Sequence, residues 1–449
     1  MIGKEKISSL LAPLIRKSPA DQTEAVIING QTGLTRYANS VIHQNVFEVN
    51  SRVYFRVALG KKLGVASTNA MTKDGLKQAL ENAMEIARTQ RGTPDFQGLP
   101  AKGEYAKVKT HFKKTAGFTP AQRAEAVKLV FDRAGKHGLN VAGSFSTGES
   151  EVAVLNSNGV SCYQPMTTAS INMITLGENS SGYADGLSRD VSQLDFEEMA
   201  EVAIRKCLDS KNPKPFEPGE YTVILEPKAV SELLEWMNYI GFGAKTFLDG
   251  TSFLSGRIGK RIMGENISIY DDGNDDSTLA CPFDFEGVPK KKVFLVQKGE
   301  AKGVVYDSLT AVRGKTKSTG HALTPDSSER SLPLNVFVAG GDSNPDKMIE
   351  TTQRGLLVTR FHYINGLIDT PNALMTGMTR DGTFYIEDGK IKHGIKNLRF
   401  TDSMLRAFSN TEQLSRQKKP QASWWSDVGC ITVPTMKIKN FRFTGKTDF

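Results

Sequence analysis

The sequence predicts an α+β fold in which two related strand-rich modules, each ending in a helix, precede a large β-rich C-terminal domain. Three observations predict it: a pattern that recurs at a constant offset, two segments rich in Pro and Gly, and strand-like alternation after the second of these segments. A chain of 449 residues is too long for one ordinary core. We therefore expect three domains, at residues 1–92, 104–210 and 218–449.

The composition is that of a globular protein, with 39% hydrophobic and 24% charged residues. A formal net charge of +8 is compatible with nucleic-acid binding, but acidic residues interleave with the basic ones, and the only basic triplet is Lys290–Lys292. The longest uncharged run, Val152–Gly177, contains too many polar groups to span a bilayer. We expect a cytoplasmic protein with a mildly basic surface, which binds neither membrane nor nucleic acid.

The evidence for a repeat is a set of short, similar sequence motifs in the first two modules. The motif NSVIHQ at Asn39 is followed 117 residues later by NSNGVS at Asn156, and Gly64 by Gly182 at an offset of 118. In each module a predicted helix follows these motifs. Its predicted cap is Asp74 in the first module and Ser192 in the second. Chance similarity between short β-rich segments is the alternative explanation.

The connecting segments show clear boundary signals. Arg91–Gly103 and Asn212–Glu220 are rich in Pro and Gly and are predicted linkers. Between them, TPAQ at Thr119–Gln122 supplies an N-cap hydroxyl, a proline at the first helical position and a capping-box glutamine. This pattern predicts a helix in the second module.

The third part opens with a predicted strand, YTVILEP, and then a predicted amphipathic helix, SELLEWMNYIGFGAK, at Ser231–Lys245. Glu232 and Glu235 share one side of this helix, and such pairs usually form a solvated edge. Strands then dominate, with hairpins predicted around KGEAKG and EDGK. The buried face is predicted to consist of Val230, Leu233, Leu234, Met237 and Ile240.

Metal-binding and redox motifs are absent from the sequence. The four cysteines lie far apart without a CxxC pair, so buried reduced thiols are expected. None of the six histidines is followed by Glu, which excludes a helical HExxH or HExxxH site. A scattered site formed by His321, His362 and Cys430 is a second hypothesis, against the simpler view that the three are unrelated.

The run Thr376–Gly382, TGMTRDG, combines two glycines with an arginine and an aspartate before a predicted strand. We expect a tight turn that presents donors to a peptide. Its candidate peptide-binding residues are Thr379, Arg380, Asp381 and Gly382. The alternative is an Arg–Asp pair that only stabilises the turn.

Several motifs, in consistent order from about Leu34 to Phe443, together resemble the TldD/PmbA family, once described as modulators of DNA gyrase. They are LTRYANSVIHQN, PFDFEGVPKKKVFLVQKGEAKGVVYD, KSTGHAL, GLLVTRFHYING, TGMTRDGTFYIEDGKI and IKNLRFTDSMLRAF. The resemblance implies an α+β protein that dimerises around an enclosed cavity and is linked to metalloprotease cleavage of small or unfolded peptides.

In that family the TldD half carries HExxxH on the helix after the first strand of the C-terminal domain, with a later cysteine as third zinc ligand. Here the corresponding helix has no histidine, and Cys430 lies only four residues before Pro434. The pattern resembles PmbA, also called TldE. It implies a noncatalytic subunit without a cofactor of its own, zinc only in a TldD-like partner, and a heterodimer or homodimer that binds peptide. The alternative is a self-sufficient metallopeptidase or other hydrolase with an unrecognised site.

Overall fold

The computed structural model describes residues 1–424, 426 and 428–447. Two modules form one antiparallel sheet of six strands, in the order β3-β2-β1-β4-β5-β6. The first module comprises α1 (Lys4–Lys17), β1 (Gln22–Ala38), β2 (Val41–Leu59), β3 (Lys62–Thr68) and α2 (Lys73–Thr89). The second comprises α3 (Lys113–Ala116), α4 (Pro120–Gly135), β4 (Asn140–Asn156), β5 (Ser161–Leu176), β6 (Ser181–Ser188) and α5 (Phe196–Asp209).

The two modules repeat one helix-on-strand contact. A Cβ atom at Gly64 would lie 2.0 Å from the Ala83 carbonyl oxygen of α2, and one at Gly182 would lie 2.1 Å from the Ala203 carbonyl oxygen of α5. Both glycines therefore let a helix approach the third strand of its module closely. This contact explains why the glycine pair stands out in the sequence pattern.

The predicted helix caps are wrong in both modules. The cap of α2 is Thr72, whose hydroxyl accepts from the Gly75 N–H, and the cap of α5 is Asp195, which accepts from the Glu198 N–H. Ser192 lies in a separate one-turn 3-10 helix. The capping box at Thr119 is present as predicted.

The C-terminal part is built on an eleven-stranded sheet, whose main path is β10-β9-β8-β11-β17-β15-β13-β12-β7. Because β7 pairs in parallel with β12 and antiparallel with β17, the strands β7, β12, β13, β15 and β17 close into a ring. The strands are β7 (Gly219–Leu225), β8 (Ile269–Asp271), β9 (Val293–Gln297), β10 (Glu300–Ala301), β11 (Asn335–Val338), β12 (Arg354–Asp369), β13 (Leu374–Glu387), β14 (Lys390–Gly394), β15 (Leu398–Ser403), β16 (Thr411–Ala422) and β17 (Cys430–Lys446).

Among the described residues, five α-helices accompany this sheet, which confirms the predicted α+β class with a large β-rich C-terminal region. None of the described helices combines the length and apolarity needed to cross a bilayer. The helices are α6 (Pro227–Met237), α7 (Ala244–Leu248), α8 (Ser308–Arg313), α9 (Pro345–Glu350) and α10 (Met404–Ser409).

The hairpin predicted around EDGK forms, and the hairpin predicted around KGEAKG forms only in part. Asp388 and Gly389 take positive φ angles of 50° and 72° between β13 and β14, as the Asp-Gly signal predicts. The turn between β9 and β10 is Lys298–Gly299, and its second strand is only two residues long.

A buried arginine ties the two parts of the chain together. The Arg56 guanidinium on β2 lies 2.8 Å from a Glu24 oxygen of β1 and 2.8 Å from a Glu286 oxygen of the C-terminal part. Apolar residues of β1, β2 and β4 pack beside it against the segment around Phe283. The sheet face that carries this contact is therefore buried at one end.

Candidate functional site

The helix predicted to occupy the active-site position is α6, which begins directly after β7. Pro227 stands at its first position, and a single π-helical turn, Asn238–Phe242, extends it. Its predicted apolar face is buried, but the opposite side is covered as well, since the helix packs against β12, β16 and β17. Polar side chains on α6 consequently lie inside the protein.

Glu232 on α6 is buried, and its carboxylate accepts a hydrogen bond of 2.8 Å from the Phe361 N–H on β12. Lys228, one turn earlier, lies 3.6 Å from the same carboxyl group. Burial raises the pKa of Glu232 from 4.5 to about 7, against the opposing effect of the Lys228 and Arg360 cations. The carboxyl group therefore holds a strand in place.

Glu235, three residues further along, is also buried. It accepts hydrogen bonds from the Ser423 hydroxyl at 2.6 Å and from the Trp424 N–H at 2.5 Å. The expectation that this glutamate pair forms a solvated edge is wrong, because the sheet covers both sides of α6. Each carboxylate instead anchors a different segment of the backbone.

A cavity of about 450 Å³, here called the β6 cavity, lies between β6 and the C-terminal sheet. It is lined by Asp185 of β6, Lys228 of α6, Thr359 of β12, and Lys419 and Gln421 of β16, among others. Burial raises the pKa of Asp185, while neighbouring lysines and a hydrogen bond from Gln421 oppose the shift. The cavity thus brings together polar groups from two parts of the chain.

A second cavity of about 660 Å³, here called the sheet cavity, lies on the six-stranded sheet. It is formed by the uncovered end of the sheet face that carries Arg56, where small polar residues such as Asn50, Ser146 and Ser170 replace apolar ones. Part of the segment 422–429 closes its other side. Since Glu235 holds Ser423 and Trp424, α6 fixes one wall of this cavity.

The predicted turn TGMTRDG lies within strand β13 and is not a turn, which corrects the sequence expectation. Its positive φ angles, 52° at Asp381 and 119° at Gly382, fall where the pairing with β12 shifts register, so the turn-forming residues produce a bulge. Thr379 is buried and its hydroxyl accepts from the Leu398 N–H at 3.0 Å.

Asp381, the acidic residue of TGMTRDG, has a partner that the sequence did not suggest. Asp381 accepts from Nε of Arg360 at 2.8 Å and also from its Nη2, whereas Arg380 lies opposite Arg360 in the strand register. The Cζ atom of the Arg360 guanidinium in turn lies over the Tyr183 ring, 4.9 Å from the ring centroid. Asp381 therefore acts on the neighbourhood of the β6 cavity through Arg360, and residues 379–382 line neither cavity.

The scattered His/Cys set does not assemble. His321 is buried and lies 2.8 Å from Asp271, Cys430 is buried beside Thr432, and His362 is exposed on β12. In the part of the chain that the structure describes, no group of three or more His, Cys, Asp or Glu side chains is placed to hold a metal ion. All four cysteines are buried and unpaired with one another.

Residues of the β6 cavity were not predicted from the sequence. Asp185, Thr359 and Gln421 are separated by more than 60 residues from one another, and only Thr359 lies in one of the motifs quoted above, GLLVTRFHYING. Only the packing of β6 against the C-terminal sheet brings them together. The sequence signal that could have pointed there is the position of α6 itself.

Three protein-family models match successive parts of this chain. Residues 23–87 match PmbA/TldA metallopeptidase domain 1, residues 118–211 the central domain, and residues 218–445 the C-terminal domain. The chain belongs to the PmbA/TldD family. The C-terminal match of the PmbA/TldD family includes α6, both hairpins and β13, so all the features described above for the C-terminal part lie within it.

Three similar proteins illustrate the range of similarity. An uncharacterised protein of Methanocaldococcus jannaschii is 28% identical over 75% of this chain and 78% of its own. A metalloprotease TldD homolog of Buchnera aphidicola is 24% identical over 91% of this chain and 89% of its own. The crystal structure of TldE from Thermococcus kodakarensis superimposes with a TM-score of 0.88 and 22% identity, over 97% of this chain and all of that one.

Proposed function

We propose that this chain is a noncatalytic, PmbA/TldE-like subunit of a two-chain metallopeptidase that cleaves small or unfolded peptides. The observation that carries the proposal is the use made of the α6 carboxylates. Glu232 accepts from Phe361 and Glu235 from Ser423 and Trp424, so both groups are engaged in holding backbone. Neither is positioned as a metal ligand or as a base for water.

The residues around Glu232 support the same conclusion. The window SELLEW, Ser231–Trp236, keeps a glutamate in the second place of HExxxH but has Ser231 and Trp236 where the motif has histidines. Neither a serine hydroxyl nor an indole N–H is a usual zinc ligand, because zinc sites use imidazole, thiolate or carboxylate. The metal that the family name implies would therefore be supplied by the partner chain.

The partner is proposed to be a TldD-like chain, with a second copy of this chain as the other possibility. Exposed apolar side chains at the far end of β12 support a dimer surface in the C-terminal part, since Tyr363 is 80% exposed and Leu367 is 58% exposed. In the heterodimer, this chain would close the chamber of the partner and help to hold the peptide. A cytoplasmic location stays a prediction.

The test is co-purification of this chain with a TldD-like chain, followed by metal analysis and peptide cleavage for each chain alone and for the pair. We expect no stoichiometric zinc in this chain alone, one zinc per pair, and cleavage only by the pair. One tightly held zinc per isolated chain, or cleavage without a partner that is abolished by a chelator, would favour the self-sufficient hydrolase.

A further inference from the structure

Two buried oxygen atoms in the wall of the β6 cavity lack hydrogen-bond partners. Gln421 is 2% exposed and Thr359 is 1% exposed, and neither the Gln421 Oε1 nor the Thr359 Oγ1 has a partner among the described residues. An unsatisfied buried polar atom destabilises the fold. Because the Gln421 amide donates to Asp185, its Oε1 is left as an acceptor, which a ligand with N–H groups would satisfy.

Two ion pairs hold some of the charged groups that line the cavity. Lys206 forms an ion pair with Glu226, and Lys228 lies 3.6 Å from Glu232. Within the described residues, the other charged residues that line the cavity have no ion-pair partner within 4 Å: Asp185 is half-buried, and Asp195, Glu198, Arg205 and Lys419 are exposed. Asp185 is therefore the half-buried negative group beside the free oxygen atoms, and Lys419 is an exposed positive group on the same strand as Gln421.

These groups discriminate between classes of ligand. A simple anion would meet the Asp185 carboxylate and the Gln421 Oε1, which both repel it. An apolar ligand would leave both oxygen atoms without partners. A zwitterion with a donor at one end and an acceptor at the other satisfies all four groups, and a cavity of about 450 Å³ is large enough for a di- or tripeptide.

We propose that the β6 cavity binds the amino terminus of a short peptide, with the α-ammonium group on Asp185 and Gln421 Oε1 and the peptide carboxylate toward Lys419. Thr359 would accept a backbone N–H of the same peptide. This inference rests on the proposed function, since it specifies which end of a peptide this subunit holds. It assigns recognition to the free amine and not to a side chain.

The experiment is calorimetric titration of the full chain with trialanine, N-acetyl-trialanine and trialanine amide. We expect trialanine to bind, acetylation to weaken binding at least tenfold, and amidation to weaken it less. Asp185→Asn should reduce the preference for the free amine, because a neutral amide attracts ammonium less strongly. Glu198→Gln, at the exposed rim of the same cavity, is the matched control and should bind as the parent does.

Thermal melts show whether Asp185→Asn remains folded, and if it does not, Lys419→Gln at an exposed position tests the carboxylate end instead. Equal binding of acetylated and free trialanine, or no binding of either, would overturn the inference. Neither result bears on the zinc content or on cleavage by the pair. Zinc in the isolated chain would overturn the noncatalytic role while leaving amine recognition intact.

Discussion

Arg360 and Asp381 are joined across two neighbouring strands although they are not opposite one another in register. The guanidinium of Arg360 donates from Nε and Nη2 to one Asp381 oxygen, because the bulge at Asp381–Gly382 turns the carboxylate toward it. Asp381 is 5% exposed, so this pair is largely shielded from water. The structure thus identifies Arg360 as a partner of Asp381, which the sequence alone could not do.

Arg360→Ala should destabilise the chain by about 3 kcal/mol, since it leaves the Asp381 carboxylate buried without its cation. Arg380→Ala is the matched change, because it removes an arginine from the same β12–β13 ladder while keeping the Arg360–Asp381 pair. We expect it to lower the melting temperature less than Arg360→Ala does and to weaken peptide cleavage by the reconstituted pair. Urea denaturation and cleavage assays measure the two effects, and unchanged turnover with Arg380→Ala would remove that residue from peptide binding.

Glu235→Ala should release the segment at Ser423 and Trp424, because it removes the acceptor of two hydrogen bonds. The expected cost is about 1–3 kcal/mol, and amide hydrogen exchange at Trp424 should accelerate. Glu235→Gln keeps one carbonyl acceptor and should have a smaller effect on both quantities. Unaltered exchange at Trp424 in the alanine variant would show that other contacts hold this wall of the sheet cavity.

Glu232 predicts a specific pH dependence of stability. Its pKa is raised from 4.5 to about 7 by burial, so between these values the folded chain keeps a proton that the unfolded chain has lost. The free energy of unfolding should therefore fall as pH rises from 4.5 to 7, by roughly 3 kcal/mol at most from this group. Glu232→Gln should flatten that decline relative to the parent, as measured by denaturation at several pH values. The exposed Glu198→Gln should not, and an unchanged slope in Glu232→Gln would contradict the assignment.

Arg56→Met should destabilise the chain by roughly 3–5 kcal/mol, because Glu24 and Glu286 would remain buried without their shared cation. Burial already raises the pKa of Glu24 to about 7 with Arg56 present. Arg56→Lys retains the charge but not the two-sided fork and should lie between parent and Arg56→Met. Limited proteolysis between residues 90 and 112 would show whether the two parts of the chain separate. Equal stability of all three proteins would mean that apolar packing alone joins them.

The dimer surface proposed on β12 is tested by changing Tyr363 and Leu367 together to serine. Both side chains are exposed in the single chain, so folding should be unaffected while association at micromolar concentration is lost. Val41→Ser with Phe47→Ser, on the exposed part of β2, is the matched apolar control. Sedimentation of each variant, alone and with a TldD-like chain, measures the effect. A persistent monomer of the parent in both conditions would count against any dimer.

Features that depend on neighbouring residues or on a regular period could be predicted from the sequence. The capping box at Thr119, the Asp388–Gly389 turn, the buried face of α6 and the pair Gly64 and Gly182 each depend on residues close together in the chain or on a regular period. The absence of histidine from α6 was equally certain, because it requires only residue identity. These features determined the α+β class and the family resemblance.

Tertiary structure decided what the polar residues do. A helical period shows that Glu232 and Glu235 share a side of α6, but only the enclosing sheet shows that this side is buried and anchors β12 and the segment at Trp424. In the same way, strand pairing converted a predicted turn into a bulge and gave Asp381 a partner 21 residues away. Burial and partners at long range depend on how elements pack, and packing between distant segments has no local signature in the sequence.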